Sequence, residues 1–106
     1  MSAIRLAVPR TAAKDEVIEI KALIQHPMES GFRRGSRGEV IPRDIITEFV
    51  CTYNGETLFS ADFNAGVAAN PILTFWTRAT ESGELVFRWT DQNGQSWSDS
   101  ATITVT

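Results

Sequence analysis

Apolar and polar residues alternate along most of the chain with a period of two residues, which is typical of β-strands that bury one face. In the segment 17–24 every even position is apolar, so we predict that the even positions of this strand face the core. The same alternation recurs in six other segments, which are 4–8, 45–53, 57–63, 72–78, 84–90 and 96–105. No segment has a convincing helical period.

Residues typical of tight turns separate several of these segments. Asn54-Gly55 is the strongest hairpin signal, because both residues tolerate the positive φ of a type I′ turn. The segments 81–83 and 91–94 are further turn candidates. The pattern therefore predicts one all-β domain, residues 1–106, folded as an immunoglobulin-like β-sandwich of about seven antiparallel strands. A barrel such as the OB-fold is the alternative architecture, but it usually carries a helix between its strands.

A long segment, 28–43, lies between the second and third predicted strands and is rich in glycine and arginine. It is either a loop or a β-ribbon with a mobile tip, and loops of this length are usually functional or disordered. Its arginines are either solvated or form a docking surface for an acidic partner or an anion, since the planar guanidinium binds oxyanions in a bidentate way. We predict partner contacts at His26, Met28, Arg33, Arg34, Arg37 and Arg43.

Composition narrows the class of protein. Hydrophobic residues make up 42% and charged residues 22% of the 106 positions, which is the balance of a folded domain. The net charge of -3 gives no basic field that would favour nucleic acid. No apolar run approaches the roughly 20 residues of a membrane helix. The N-terminus, from Met1 to Arg10, has no signal-peptide layout, so we expect a cytoplasmic chain or one exported by means it does not encode.

The residue types needed for catalysis and for metal binding are scarce. His26 is the only histidine and Cys51 the only cysteine, which excludes an internal disulfide and argues against a metal site. Cys51 is in phase with Phe49 and Tyr53, so we expect a buried thiol that behaves as a small hydrophobic residue. A reactive thiol is the alternative. We therefore predict no catalytic residues, no metal and no cofactor.

Two residue types leave structural and functional interpretations open. His26 precedes Pro27 and can anchor the following segment by hydrogen bonding to the backbone, or it can serve a partner. Three tryptophans, Trp76, Trp89 and Trp97, are many for this length. We expect all three in the core, whereas a tryptophan left outside would mark an interface.

Several motifs resemble the SoxZ family of the bacterial sulfur-oxidizing (Sox) pathway. The run 20–31, IKALIQHPMESG, is similar to the family signature I-K-x-L-I-x-H-P-M-E-x-G. The likeness covers almost the whole chain, in the same order, and each motif alone is weak while the ordered set is specific. The further matching segments are 41–42, 49–55, 59–62, 69–71, 78–83 and 89–91.

The resemblance implies an immunoglobulin-like subunit that pairs with SoxY in the SoxYZ carrier of thiosulfate oxidation. In that family SoxY holds the sulfur covalently on a cysteine of a flexible C-terminal tail. This chain ends Ile103-Thr104-Val105-Thr106 and Cys51 does not match the carrier motif, so the carrier thiol is expected on the partner. The resemblance also implies a periplasmic location reached by co-export with a partner that bears a signal.

The function expected from these observations is that of a non-catalytic subunit that binds and presents SoxY and offers docking surface to the Sox enzymes. We expect no nucleic acid or membrane among its partners, and possible self-association when it is isolated. Two alternatives come from other classes of protein. One is an enzyme or redox protein that uses Cys51, and the other is a stand-alone or self-associating β-sandwich binding module.

Overall fold

The structure, a computed structural model, describes residues 3–106 and consists there of strands and loops. Met1 and Ser2 lie outside the described residues. They are the first two residues of the segment for which we predicted no signal-peptide layout. The described part of the chain contains no helix with the length and hydrophobicity needed to span a membrane. Its strands are β1 Ile4–Ala7, β2 Thr11–Ala12, β3 Val17–Ile24, β4 Ile46–Tyr53, β5 Glu56–Asp62, β6 Ile72–Arg78, β7 Gly83–Asp91 and β8 Ser96–Val105.

The strands form two sheets that pack as a sandwich. One sheet has three strands in the order β1-β3-β6, and the other has five in the order β2-β8-β7-β4-β5. All neighbours are antiparallel except β2, which pairs in parallel with β8 through Thr11–Thr104 and Ala12–Val105. The predicted all-β sandwich is confirmed. The predicted count of seven antiparallel strands becomes eight with one parallel pair, because a two-residue strand is too short to show a period.

The core contains the positions that the alternation predicts. On β3 the even positions Ile18, Ile20, Ala22 and Ile24 are at most 3% exposed. The five-stranded sheet opposes them with side chains that alternate in the same way along β4 and β7. The fully buried side chains of these two strands include Phe49, Cys51, Leu85, Phe87 and Trp89.

Aromatic rings join the two sheets. The ring of Phe49 lies 5.0 Å from that of Trp89 and 6.3 Å from that of Phe87, both within its own sheet. It also meets Phe75 of the three-stranded sheet edge-on at 6.3 Å, and Phe59 stacks on Phe75 at 4.6 Å. Such pairs contribute about 0.5–1.5 kcal/mol each beyond the burial of their area. Phe49 is thus the side chain through which most of the aromatic contacts run.

Cys51 lies in the same core, next to Phe49 along β4. Its side chain is fully buried, and burial raises the pKa of its thiol to about 12. A thiol in an apolar environment resists ionisation because the thiolate would lose its hydration. The expectation of a buried, core-like cysteine is confirmed.

The contrast between two phenylalanines gives a test of the core. We expect Phe49→Ala to lower the free energy of unfolding by about 3–5 kcal/mol, since it removes a buried ring and leaves a cavity. The measurement is urea unfolding followed by circular dichroism.

The matched control is Phe32→Ala, the same substitution at a side chain that is 86% exposed. Its free energy of unfolding should stay within about 0.5 kcal/mol of the wild-type value. Equal losses at both positions would contradict the assignment of Phe49 to the centre of the core.

A second prediction concerns the Cys51 thiol. In the native chain we expect no reaction with a thiol-labelling reagent at pH 8 or pH 10, because a group with a pKa near 12 stays protonated at both values. After unfolding in guanidinium the thiol should react fully, with the pKa of about 8.5 of a free cysteine. Rapid native labelling at pH 8 would instead favour the reactive-thiol alternative.

Candidate partner interface

The segment 29–44 folds back on itself as an irregular antiparallel ribbon, which we call the ribbon. Glu29 and Asp44 exchange backbone hydrogen bonds of 2.8 and 2.9 Å at its base. Further out, Arg34 bridges Val40, and Gly38 with φ +82° helps to close the turn at the tip. Of the two alternatives, loop or β-ribbon, the structure supports the ribbon.

The described part of the chain is elongated. The described chain measures 58 × 20 × 20 Å, with a radius of gyration of 16.1 Å, whereas a compact domain of this length has about 13 Å. The longest strand, β8, has ten residues and spans only about 33 Å. The described chain is therefore elongated well beyond the length of any one strand.

Two residues predicted to bind a partner, His26 and Met28, are buried beneath the base of the ribbon. They are 4% and 6% exposed. Met28 adopts φ 49°, its N–H donates to His26 Nδ1 at 3.0 Å, and its sulfur accepts from the N–H of Ile46 at 3.3 Å. His26 Nε2 lies 3.6 Å from Asp44 Oδ1, and its ring packs edge-on against Trp97. These contacts fix the direction in which the chain enters the ribbon.

The return leg of the ribbon is held by Gln92, in the turn between β7 and β8. The side-chain oxygen of Gln92 accepts from Arg43 Nε at 3.0 Å, and its side-chain nitrogen donates to the Arg43 carbonyl at 2.8 Å. Its backbone N–H also donates to the Ile45 carbonyl at 3.0 Å. Both legs of the ribbon are thus tied to the five-stranded sheet or to the core.

The arginines of the ribbon differ in their surroundings. Arg33 forms a bidentate pair with Glu29, with Nε–Oε1 and Nη2–Oε2 distances of 3.0 and 2.5 Å. The hydrogen bonds from Arg33 lower the pKa of the Glu29 carboxyl and raise that of the Arg33 guanidinium. Arg34 donates to the Gly38 carbonyl, and Arg37 is exposed at the tip. Arg34 and Arg37 therefore keep charge that no carboxylate of the described ribbon neutralises through an ion pair.

The ribbon also exposes apolar side chains. Phe32 is 86% exposed and precedes Arg33 in the chain. Val40 is 53% exposed and lies opposite Arg34 in the ribbon. Exposed aromatic rings next to arginine are typical of protein-binding surfaces. The predicted contacts at the arginines stay a prediction, now on a surface that also carries an aromatic ring.

A polar cleft of about 580 Å³ opens beside the base of the ribbon, between His26, Asp44 and Trp97. The carboxylate of Asp91, also in its lining, accepts the backbone N–H groups of Asn93 and Gln95 at 2.9 and 2.8 Å. Both ring nitrogens of His26 likewise face partners at the base of the ribbon, the Met28 N–H and the Asp44 carboxylate. Within residues 3–106 no group of three or more histidine, cysteine or acidic side chains could hold a metal ion.

The outer faces of the two sheets differ in character. Hydroxyl-bearing and charged residues occupy much of the outer face of the five-stranded sheet. Exposed members are Glu84, Arg88, Ser98, Ser100 and Thr102. The outer face of the three-stranded sheet, which we call the apolar face, carries large hydrophobic side chains among a few charges. The face consists of Arg5, Ala7, Val17, Glu19, Lys21, Leu23, Ile72, Thr74, Trp76 and Arg78.

Trp76 corrects the expectation that all three tryptophans lie in the core. Trp89 is fully buried, but Trp76 is 61% exposed on the apolar face. The alternation of exposed and buried positions along β6 would have predicted that Trp76 is exposed. Trp76 is in phase with Thr74 and Arg78, both exposed, whereas the buried Phe75 occupies the opposite phase.

Comparisons with known folds place the sandwich. A superoxide reductase (neelaredoxin) from Ignicoccus hospitalis matches with a TM-score of 0.69 at 16% identity, covering 97% of this chain and 80% of that one. A putative superoxide reductase from Thermotoga maritima matches with 0.67 at 17% identity, covering 97% and 85%. A CARDB domain from Pyrococcus furiosus, solved in complex with di-metal ions, matches with 0.57 at 12% identity, covering 100% and 94%. At such identities the likeness concerns the fold alone.

Sequence comparison identifies the family. No curated protein sequence matches this chain. The family model described as "Sulphur oxidation protein SoxZ" matches residues 4–102, from the first residue of β1 to near the end of β8. That range includes both sheets, the ribbon and the apolar face. The chain therefore belongs to the SoxZ family and is a subunit of the Sox sulfur-oxidation system.

Proposed function

We propose that the chain is the non-catalytic subunit of the SoxYZ sulfur carrier in thiosulfate oxidation. In this role it binds and presents SoxY, which holds the sulfur covalently. The observation that carries the proposal is the family match over residues 4–102. A carrier needs a stable subunit pair, and the exposed apolar side chains outside the core are suited to hold one.

The chemistry of the two most reactive side chain types supports a role without catalysis. The Cys51 thiol is fully buried with a pKa near 12, so it is neither accessible nor ionised near neutral pH. His26 accepts the Met28 N–H on one ring nitrogen and faces Asp44 with the other. Neither group is free to serve as nucleophile or as its base.

The carrier would act in the periplasm, reached by co-export with a partner that bears an export signal. This part of the proposal rests on the family alone. Co-export would require that the two chains associate before they cross the membrane.

The ribbon suits the transient contacts of such a carrier with the enzymes that load, oxidise and release the sulfur. Its exposed side chains mix arginine with Phe32 and Val40, and transient interfaces are more polar than permanent ones. Uncompensated positive charge on Arg34 and Arg37 would speed encounters with an acidic surface. His26 and Met28 would contribute by holding the base of the ribbon in place.

Association with SoxY tests the proposed function. Sedimentation velocity of an equimolar mixture at about 1 µM of each chain should show a one-to-one complex, as expected for a dissociation constant below that concentration. Each chain alone is the control. Two separate boundaries in the mixture would contradict the proposal. A homodimer of this chain that SoxY leaves unchanged would support the self-associating module instead.

Neutralising the ribbon tests its assignment to transient contacts. In the complex with SoxY, the double variant Arg34→Ser, Arg37→Ser should bind the sulfur-loading enzyme of the pathway about tenfold more weakly. The loss should lie mainly in the association rate and shrink as salt is raised. Surface plasmon resonance at several salt concentrations measures both quantities.

The matched control is Arg10→Ser, Lys14→Ser, which removes the same charge from exposed positions outside the ribbon. Its association rate should stay within about twofold of the wild-type value, since charges far from a contact steer weakly through salt. Equal slowing by both double variants would indicate a net-charge effect and count against the ribbon.

A further inference from the structure

The apolar face is unusual for an exposed sheet surface. Val17, Ile72 and Trp76 are 55%, 57% and 61% exposed. Isolated exposed hydrophobic residues are ordinary, but three large ones on one three-stranded sheet form a patch. Trp76 alone leaves on the order of 150 Å² of its surface in water.

The apolar face combines a projecting side chain with a shallow depression. Trp76 stands on the edge strand β6, paired across the sheet with Glu19, and so projects beside an open edge. Four residue pairs further along the sheet, roughly 13 Å away, Ile72 pairs with Leu23. There the surface forms a shallow depression of about 210 Å³ that Ala7 and Arg5 complete. A partner could bind this surface with a pocket that receives the Trp76 ring and an apolar side chain that fills the depression.

The rigidity of the face favours a permanent partner. The side chains stand on paired strands, and β3 lies between β1 and β6 with hydrogen bonds on both sides. Binding therefore orders little that was not already ordered, which keeps the entropic cost of association low. Along β3 the face extends over roughly 26 Å, enough for the central part of a standard interface.

Charge defines the chemistry of the partner. The face carries Arg5, Lys21 and Arg78 against one carboxylate, Glu19, which lies 3.7 Å from the Lys21 amine. The Arg78 guanidinium donates to the backbone carbonyl of Asp15, so its charge is not neutralised there. The face is thus cationic at both ends on a chain whose net charge is -3. A complementary surface carries apolar side chains opposite Trp76 and Ile72 and carboxylates at its two ends.

We propose that SoxY sits on the apolar face, with the Trp76 ring as its main anchor and with carboxylates opposite Arg5 and Arg78. This inference rests on the proposed function, since it takes the partner from there. It leaves the ribbon, which begins after the opposite end of β3 from Trp76, free for a second and transient partner.

The test compares two exposed aromatic residues in binding to purified SoxY. Trp76→Ser should weaken the affinity at least about 30-fold, as expected for a tryptophan hot spot. Phe32→Ser, the matched control on the ribbon, should stay within about threefold of wild type. Isothermal titration calorimetry measures both, and urea unfolding verifies that each variant keeps the wild-type midpoint. Wild-type affinity of Trp76→Ser would overturn the inference.

Two further measurements do not depend on how the tryptophan variant folds. Hydroxyl-radical footprinting of the unmutated chain should show Trp76 oxidised when the chain is alone and protected when SoxY is bound, with Phe32 oxidised in both. The double charge reversal Arg5→Glu, Arg78→Glu should weaken binding at least about tenfold. An unprotected Trp76 in the complex would overturn the inference.

The outcomes separate the inference from the proposed function. If the wild-type chain does not bind SoxY, the proposed function fails. If it binds SoxY and Trp76→Ser binds equally well, only the assignment of the surface fails. If the isolated chain forms a homodimer that Trp76→Ser dissociates and that SoxY cannot displace, a second copy is the occupant and the inference is wrong.

Discussion

The aromatic contact between the two sheets is the interaction on which the rest of the structure depends. Phe49 meets Phe75 across the sandwich and touches Phe59, Phe87 and Trp89 within its own sheet. A domain of 106 residues with one free cysteine and no disulfide gains its stability from this core. The same packing buries Cys51 and raises the pKa of its thiol to about 12, so we expect the thiol to be unreactive.

Since the interior is filled, the recognition properties of the chain are confined to its surface. One outer sheet face is largely hydroxyl-bearing and charged, the other carries large apolar side chains with cationic ends, and the ribbon exposes arginine and phenylalanine. The buried His26 and Met28 connect the ribbon to the core, through the His26 ring and the Met28 sulfur. Under the proposed function, the rigid apolar face holds the permanent partner and the ribbon meets the transient ones.

Much of the fold could be predicted from the sequence, because a half-buried strand must alternate. The buried face of β3 follows directly from Ile18 and Ile20, and the turn at Asn54-Gly55 takes the positive φ values expected of it. The strand β2 could not be predicted, since two residues have no period and their pairing with β8 depends on the whole fold. The contacts of Met28 at the base of the ribbon could not be predicted from the sequence either. They depend on a left-handed backbone conformation, which is uncommon at a residue other than glycine.

Trp76 shows where sequence reasoning failed for a physical reason. A tryptophan has so much apolar surface that burial is the natural expectation, yet its strand phase placed it with Thr74 and Arg78 outside. Under the inference drawn above, another chain covers this surface, which accounts for the disagreement between residue type and strand phase. The solved structures of similar fold, superoxide reductases among them, share the sandwich at 15–17% identity and so do not resolve that conflict.

The central claim is that the core serves stability while the apolar face serves SoxY. Amide hydrogen exchange of the chain, alone and with SoxY, tests it most directly. The account predicts that β4 and β7 exchange slowest in the isolated chain, and that SoxY slows exchange in β3 and β6 while β5 and β8 stay unchanged. Protection by SoxY confined to β5 and β8, with none on the three-stranded sheet, would contradict it.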